Sequence, residues 1–417
     1  MELTATDVWT IVAAALVLFM TPGLALFYSG MTRAKSALNM MMMSIISMGL
    51  VSVCWVLWGY GMSGGDALIP NIVGSPFSDF GLSSTLAAGG TDLLAVAFSS
   101  TFAIIALAII SGSIADRARF GAWCIFVPLW LTLVYCPLAF MVWGGGLFGE
   151  EGWIGSIFGE AIDFAGGLVI HINAGVAGLI LALVLGARKG FGKDPDQRPH
   201  NLPLVMLGAA ILWFGWFGFN VGAASDGAQA GLIWVNTLAA PAAAMLGWSL
   251  LERIRDGHAT SLGAASGLVS GLVAITPACA NINPVGAIAL GVVAGVASGW
   301  AVGLKYRFGY DDSLDVVGVH LVSGIIGTLA LGFIATPETG TAGLFYGGGL
   351  GLLITQSIAT IISVIFCAVL TLIIVLPIHR FMGFRVSEKQ EVQGIDLAQH
   401  AETAYAMAPA SGAFAEK

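Results

Sequence analysis

Eleven apolar runs follow one another along the chain, separated by short polar links, at residues 8–29, 37–62, 93–115, 120–143, 166–186, 202–221, 230–251, 260–280, 285–304, 316–335 and 344–378. A helix needs about 20 apolar residues to cross a hydrocarbon core of about 30 Å. Every run reaches that length, and the last, at 35 residues, is long enough to tilt strongly or project beyond the bilayer. The pattern predicts an all-α polytopic membrane protein with eleven transmembrane helices.

The links decide the topology. All 16 Lys and Arg fall after odd-numbered runs. They are Arg33 and Lys35, Arg117 and Arg119, Arg188, Lys189, Lys193 and Arg198, Arg253 and Arg255, Lys305 and Arg307, and in the tail Arg380, Arg385, Lys389 and Lys417. The opposite links carry only acids, among them Asp66, Asp79, Glu150, Glu151, Glu160 and Glu338. Under the positive-inside rule this places the N-terminus outside and the C-terminus inside. An error of one in the helix count would scramble the partition.

Two runs share a pattern. Aligned on a histidine, each reads Asp at −8, Gly at +4 and Gly at +7: Asp163, His171, Gly175, Gly178, and Asp312, His320, Gly324, Gly327. Offsets of four and seven return to one helix face, so each histidine tops a strip of bare backbone that another helix can approach closely. The pattern falls on runs five and ten, which cross in opposite directions. It therefore implies two inverted halves of five helices, about 7–187 and 202–336, plus an eleventh helix at 344–379. Together, residues 1–379 form the transmembrane domain and 380–417 a cytoplasmic tail. Inverted repeats are a common transporter plan, with the site at the repeat interface. Gly263, Gly267, Gly271 and then Gly291, Gly295, Gly299, Gly303 form ladders that read as packing scaffold.

Composition agrees: the chain is 57% hydrophobic and 10% charged, against roughly 25% charged in soluble domains. The formal charge of −8 suggests no nucleic-acid partner. Cys54, Cys124, Cys136, Cys279 and Cys367 show no paired spacing and read as small apolar core residues rather than disulfides or metal ligands. The opening MELTATD lacks a basic region, so no cleavable signal peptide is expected. No nucleophile–base pair, phosphate loop or metal spacing emerges, so neither an enzyme nor a cofactor is expected.

Ionisable groups inside a membrane are costly and usually line a pathway. That singles out His171 and His320, whereas His200, His258, His379 and His400 read as surface residues. Two neutral imidazoles can share one hydrogen bond and leave their outer nitrogens for a small polar solute. Two imidazoliums side by side in low dielectric would be strongly disfavoured. Asp163 reads first as a helix cap and second as a negative charge favouring a cation. Asp311, Asp312 and Asp315 read as caps of run ten. Phe98, Phe102, Trp143, Trp213, Phe214, Trp216, Phe217 and Phe219 read by default as membrane anchors or core.

Several ordered stretches carry a resemblance: FYSGMTRAKSALN, TFAIIALAIISGSIADRARF, VWGGGL, DFAGGLVIHINAGVAG, WFGFN, DVVGVHLVSGIIG and GFRVSEKQEVQGIDLAQHAETAY. Together they resemble the ammonium transporter family, in its bacterial and archaeal branch, from Phe27 to Tyr405. The resemblance implies a homotrimer of eleven-helix protomers in the inner (plasma) membrane, each with its own pore for ammonium or ammonia. Methylammonium is then a substrate analogue. It places Trp143 and Phe102 in an outer recruitment site with Asp163 beside it, and Phe102 and Phe219 as stacked gate rings with Phe98 and Trp216 as neighbours. His171 and His320 become the twin pore histidines. One departure stands out: where many bacterial members have a serine three residues after WFGFN, this chain has Ala223, leaving Ser225 or water to supply the missing acceptor. The resemblance also implies a tail that packs beneath the protomers and a PII-type regulatory protein as a partner. Two other readings remain: an ammonium sensor signalling through its tail, and a Rhesus-like channel for neutral gas.

Overall fold

The computed structural model describes residues 3–193 and 197–405. Eleven helical segments cross the molecule: α1 Ala5–Met31, α2 Ala34–Gly64, α3 Asp92–Ile114, α4 Phe120–Trp143, α5 Gly167–Leu185, α6 Leu202–Val221, α7 Gly227–Asp256, α8 Ser261–Ile275, α9 Pro284–Phe308, α10 Val317–Ile334 and α11 Gly351–Met382. Among the described residues, ten are long and apolar enough to cross a membrane by length and composition; α8, with 15 residues, is not. Two short strands, β1 Ala67–Ile69 and β2 Val73–Gly74, pair antiparallel between α2 and α3. The tail adds α12 Glu388–Gln393 and α13 Ile395–His400.

Two segments depart from the apolar runs. The run at 260–280 forms a helix only to Ile275, and residues 276–280 continue as turns. Pro277 marks the stop because it lacks an N–H and cannot extend the hydrogen-bond ladder, although Thr276 before it keeps helical dihedrals (φ −52°, ψ −48°). The turn residues Ala278, Cys279 and Ala280 are buried all the same, so hydropathy could not mark the end. At the other site, the run beginning at 344 opens with a 3-10 turn, Leu344–Tyr346, and α11 starts only at Gly351 after Gly347 and Gly349 take left-handed φ. Its 32 residues still give about 48 Å of helix at 1.5 Å per residue.

The packing repeats. α1 lies on α3 and α6 on α8, while α2 meets α4 and α7 meets α9. α1 and α6 run antiparallel: the Trp9 indole near the start of α1 donates to Val221 O at the end of α6 (3.0 Å), and Asn201 N donates to Gly30 O at the other end (3.1 Å). α5 and α10 do the same, since Arg188, just past α5, bonds Asp311, just before α10. A Cβ on Gly175 would lie 2.6 Å from Leu321 of α10, and one on Gly324 would lie 3.0 Å from Ile172 of α5. The glycine beside each histidine is thus the contact point for the other half.

Among the described residues, four crossing helices contain a π-helical turn: Trp55–Gly59 in α2, Leu131–Tyr135 in α4, Gly167–Ile172 in α5 and Val317–Val322 in α10. Such turns insert one residue into an α-helix and often mark functional sites. His171 and His320 both lie in one.

One end of the bundle gathers the basic links. Arg188 bonds Asp311 (Nε–Oδ2 2.8 Å) and Asp116 (Nη1–Oδ2 3.0 Å), Arg33 approaches Asp116 at 3.5 Å, and all four side chains are largely buried. The tail packs across this basic face. Arg119 N donates to Phe384 O (2.8 Å) and Val386 N to Arg117 O (3.0 Å). Glu391 accepts from Arg385 (2.7 Å) and Lys189 N (2.7 Å), and Asp396 accepts from Leu38 N and Asn39 N at the start of α2. A solvated reading of His200 and His400 is therefore corrected. His200 bonds Thr32 O (3.0 Å) and the Tyr405 hydroxyl (2.8 Å), and His400 bonds Asn39 Oδ1 (3.0 Å). Tail docking brings both partners in; His258 is exposed.

Candidate functional site

His171 and His320 meet at the centre of the bundle. Their Nδ1 atoms lie 3.2 Å apart, the rings are 18° from parallel, and both are almost fully buried. One imidazole donates and the other accepts across that contact. His171 Nε2 has no partner. It lines a small cavity with His320, Trp216 and Phe219 and with aliphatic side chains such as Met20, Leu24 and Ile109. The centre of a water-sized sphere can move through about 10 Å³ there, which is room for roughly one small molecule.

Rings lead away from the pair in one direction. Trp216 stacks on His171 (5.4 Å, 15°), and Phe219 sits 5.2 Å from Trp216. Phe219 stacks on Phe102 at 4.4 Å and 11°. Phe98 meets Phe102 edge-on at 4.8 Å, as does Trp143 at 6.2 Å and 87°. Beyond the phenyl pair opens a cavity of about 320 Å³ lined by Trp55, Tyr60, Ser63, Phe98, Ser99, Phe102, Tyr135, Trp143, Phe164 and Ala223. Trp143 is 41% exposed there. The stacked pair of Phe102 and Phe219 thus stands between a wide aromatic vestibule and a cavity for one small solute.

Hydrogen bonds hold these rings in place. The Trp216 indole donates to Thr276 Oγ1 (2.8 Å), whose single proton goes to Leu272 O (2.8 Å) with Asn220 Oδ1 nearby at 3.3 Å, while Asn220 Nδ2 donates to Thr237 Oγ1 (3.0 Å). Buried polar groups must be paired, so this chain fixes the indole plane over the imidazole. The Trp143 indole donates to Asp163 O (2.8 Å). The Asp163 carboxylate accepts four backbone N–H groups: Gly166 (3.0 Å) and Gly167 (2.5 Å) on Oδ1, Leu168 (2.8 Å) and Val169 (3.1 Å) on Oδ2. It is buried as the cap of the π turn bearing His171, and its side chain is not among those lining the vestibule.

The sequence-derived residues thus fall into three groups. Trp143, Phe102, Phe98 and Ala223 share the vestibule; Phe219, Trp216, His171 and His320 share the inner cavity; Asp163 supports both from beneath. Ser225 is exposed and donates to Asp226 Oδ2 (3.2 Å), outside the vestibule. The hydroxyls that line the vestibule along with Ala223 are instead those of Ser63 and Ser99, with the phenols of Tyr60 and Tyr135. The sequence reading passed over Thr276, Thr237 and Asn220, whose role depends on α6, α7 and the turn after α8 meeting. It also passed over Trp55 and Tyr135. Each π turn supplies one lining residue, Trp55 and Tyr135 to the vestibule, His171 and His320 to the inner cavity.

On the basic face a third cavity, of about 440 Å³, is lined by Met31, Arg188, Lys193, Arg198, Lys305, Tyr306, Ser313, Leu314 and Asp315, among others. α1 connects it to the histidines. Leu24 lines the inner cavity and Met31 the basic-face one, about 10 Å apart along the helix axis.

A helical membrane bundle with a narrow apolar lumen, a paired-imidazole centre and open cavities toward both faces is built as a channel or transporter. The Ammonium Transporter Family profile matches residues 8–405, and the chain belongs to the ammonium transporter family. An ammonium transporter of Mycobacterium tuberculosis (strain H37Rv) is 52% identical to it, over 97% of this chain and 91% of the relative. Among solved structures, Saccharomyces cerevisiae Mep2 superposes with a TM-score of 0.83 at 31% identity, over 92% of this chain and 90% of that one. A sensor Amt protein superposes with a TM-score of 0.86 at 27% identity, over 95% and 98%. The chain is a multi-pass membrane transporter, not an enzyme.

Proposed function

We propose that the chain carries ammonium as ammonia through a lumen of its own, past a phenyl gate and along a histidine pair. Ammonium and potassium ions are close in size and charge, but only ammonium can give up a proton. A cation in the vestibule is attracted by the faces of Trp143 and Phe102, and Ser63 and Ser99 bring oxygens that can accept its N–H bonds. Past Phe102 and Phe219 the space is apolar and too small for a hydration shell, so an ion that cannot shed its charge is heavily penalised. Ammonia is not, since the imidazoles can hydrogen-bond it. The observation that carries this reading is the unpartnered His171 Nε2 in a cavity sized for one small molecule. With proteoliposomes, His171→Ala and His320→Ala should each abolish selective ammonium-driven current while the protein still assembles. Unchanged current in both would refute the role of the pair.

By resemblance to the family, the protomers form a homotrimer in the plasma membrane, with the basic face cytoplasmic and the N-terminus outside. The partition of Lys and Arg supports that orientation. The same resemblance makes the basic face a platform for a PII-type regulatory protein, to be tested by pull-down at varied ATP and 2-oxoglutarate. The likeness to a sensor Amt protein favours a second reading, ammonium sensing through a partner on the docked tail. Methylammonium uptake measured together with current separates the two, because a pure sensor would show neither.

A further inference from the structure

The vestibule is far larger than the solute that the inner cavity can take. Its volume is about 320 Å³, which is the size of pockets that hold ligands of several heavy atoms. Seven of its twelve lining residues are aromatic, drawn from α2, α3, α4 and the link before α5. Their rings meet at steep angles: Trp55 with Tyr60 at 65° and with Tyr135 at 66°, and Phe102 with Phe98 at 69° and with Trp143 at 87°. Rings set edge to face present their faces in different directions, so together they wall a box.

The box favours a cation but has few hydrogen-bond acceptors. The links at this end of the bundle carry acids and no Lys or Arg, among them Asp66, Asp79, Glu150 and Glu160, and such a field draws cations in. Among the described residues no carboxylate lines the vestibule, and Asp163 beneath it has every oxygen committed to backbone amides. Ser63 Oγ donates to Tyr60 O (2.9 Å) and Ser99 Oγ to Ala95 O (2.6 Å), so each offers only its oxygen lone pairs. Ala223 adds a methyl group. An ammonium ion loses hydration at every N–H that finds no acceptor here. An ion whose N–H bonds are replaced by methyl groups has no such loss and keeps the attraction of the ring faces.

We infer that the vestibule is a binding site for small quaternary ammonium ions of tetramethylammonium size, which plug the pore without crossing it. The inference rests on the proposed entry of ammonium through the same vestibule. A quaternary ion has no N–H, so it cannot shed its charge at the histidine pair. The stacked rings of Phe102 and Phe219, 4.4 Å apart, close the way to any larger cation. It therefore stays among the rings that ammonium must use and competes for them. Ala223 sets the balance, because a hydroxyl there would accept from ammonium and offer nothing to a methylated ion. Methylated amines on the vestibule side thus throttle ammonium entry.

The test is ammonium-driven current in proteoliposomes with tetramethylammonium chloride added on the vestibule side, against sodium chloride at equal strength. The half-saturating ammonium concentration should rise with tetramethylammonium while the maximal current holds, and addition on the basic-face side should change neither. Saturation-transfer NMR on the purified protein should show the methyl protons bound. Trp143→Ala should weaken the inhibition by about tenfold. Ala223→Ser should lower half-saturation by ammonium several-fold without tightening tetramethylammonium, so the ratio of the two constants shifts. Uninhibited current in a large excess of tetramethylammonium, with current lost in His171→Ala, overturns the inference and leaves the pore reading standing. A lowered maximum at unchanged half-saturation puts the ion elsewhere and overturns it too. Current carried by tetramethylammonium itself would overturn the proposed gate and histidine reading. If Trp143→Ala does not assemble, Ala223→Ser carries the test, and an unchanged ratio overturns the proposal.

Discussion

The two histidine helices share a plan but differ in how each begins. In α5 the aspartate is spent entirely on structure, four amides on two oxygens. In α10 the equivalent aspartate makes one such bond and leaves an oxygen bare. The histidines differ too. His171 carries the Trp216 indole on its face, whereas among the described residues the aromatic ring beside His320 is His171 alone. One half is fixed by hydrogen bonds and stacking, and the other keeps a titratable group and aliphatic neighbours. Repetition of a motif thus fixes position, while chemistry depends on which partners the neighbouring elements supply.

The sharpest way to break this comparison is at the aspartates. Asp163→Asn puts an amide N–H₂ against two of the four amides it now accepts, and at about 1–3 kcal/mol per unsatisfied buried N–H the expected loss is about 2–6 kcal/mol. Asp312→Asn can turn its oxygen to Val317 N and should cost far less. Thermal unfolding of the two purified variants in detergent checks the order; equal losses would refute the contrast. Next comes the joint between halves. Arg188→Ala strands Asp311 and Asp116 in a buried setting and should cost about 3–5 kcal/mol. Burial works against the Asp311 charge, but Arg188 and Arg117 hold the group below the usual carboxylate range. Its contribution is therefore present above the unfolded value of about 4 and lost as pH falls through the lower folded value. Wild-type melting should accordingly fall in acid more steeply than that of Arg188→Ala.

Smaller effects test the stacking. Thr276→Val removes the acceptor for the Trp216 indole, leaving one buried N–H unpaired at about 1–3 kcal/mol. Ammonium current should fall several-fold while the variant still assembles, and wild-type current would show that the ring needs no such anchor. The mildest change is at the tail: Glu391→Gln weakens the bond to Arg385, by about 1 kcal/mol. Faster limited proteolysis within 383–405 with a normal core fragment is expected.

Hydropathy and charge made the helix count legible, because membrane spans obey a length rule and basic links mark one face. The histidine pair was legible for a similar reason, since few polar residues interrupt the runs. Pro277 escaped because residues 276–280 are as buried as a helix would be. Thr276 and Asn220 escaped because a hydroxyl and an amide in an apolar run mean nothing until three elements meet. Ser63 and Ser99 carry no sequence signal, because only the meeting of α2, α3 and α4 brings them into the vestibule. His200 and His400 looked solvated because their partners lie far away in sequence, at Thr32, Tyr405 and Asn39. The free oxygen of Asp312 required knowing where Arg188 and Lys305 point.

The π turns have a consequence for how this transporter tolerates insertion and deletion. In α2 and α4 the π turn lies between two α-helical stretches and acts as a phase slip of one residue, setting them to faces that an unbroken α-helix would separate by about 100°. In α4 it separates Phe120–Trp130, whose Trp130 indole donates to Thr371 Oγ1 of α11 (3.0 Å), from Cys136–Trp143, whose Trp143 lines the vestibule. Deleting one residue there would restore α geometry but leave the two stretches out of phase. Either the seam with α11 or the vestibule wall would stay in register, but not both, so a single lost codon in this stretch should disable the pore more thoroughly than most substitutions.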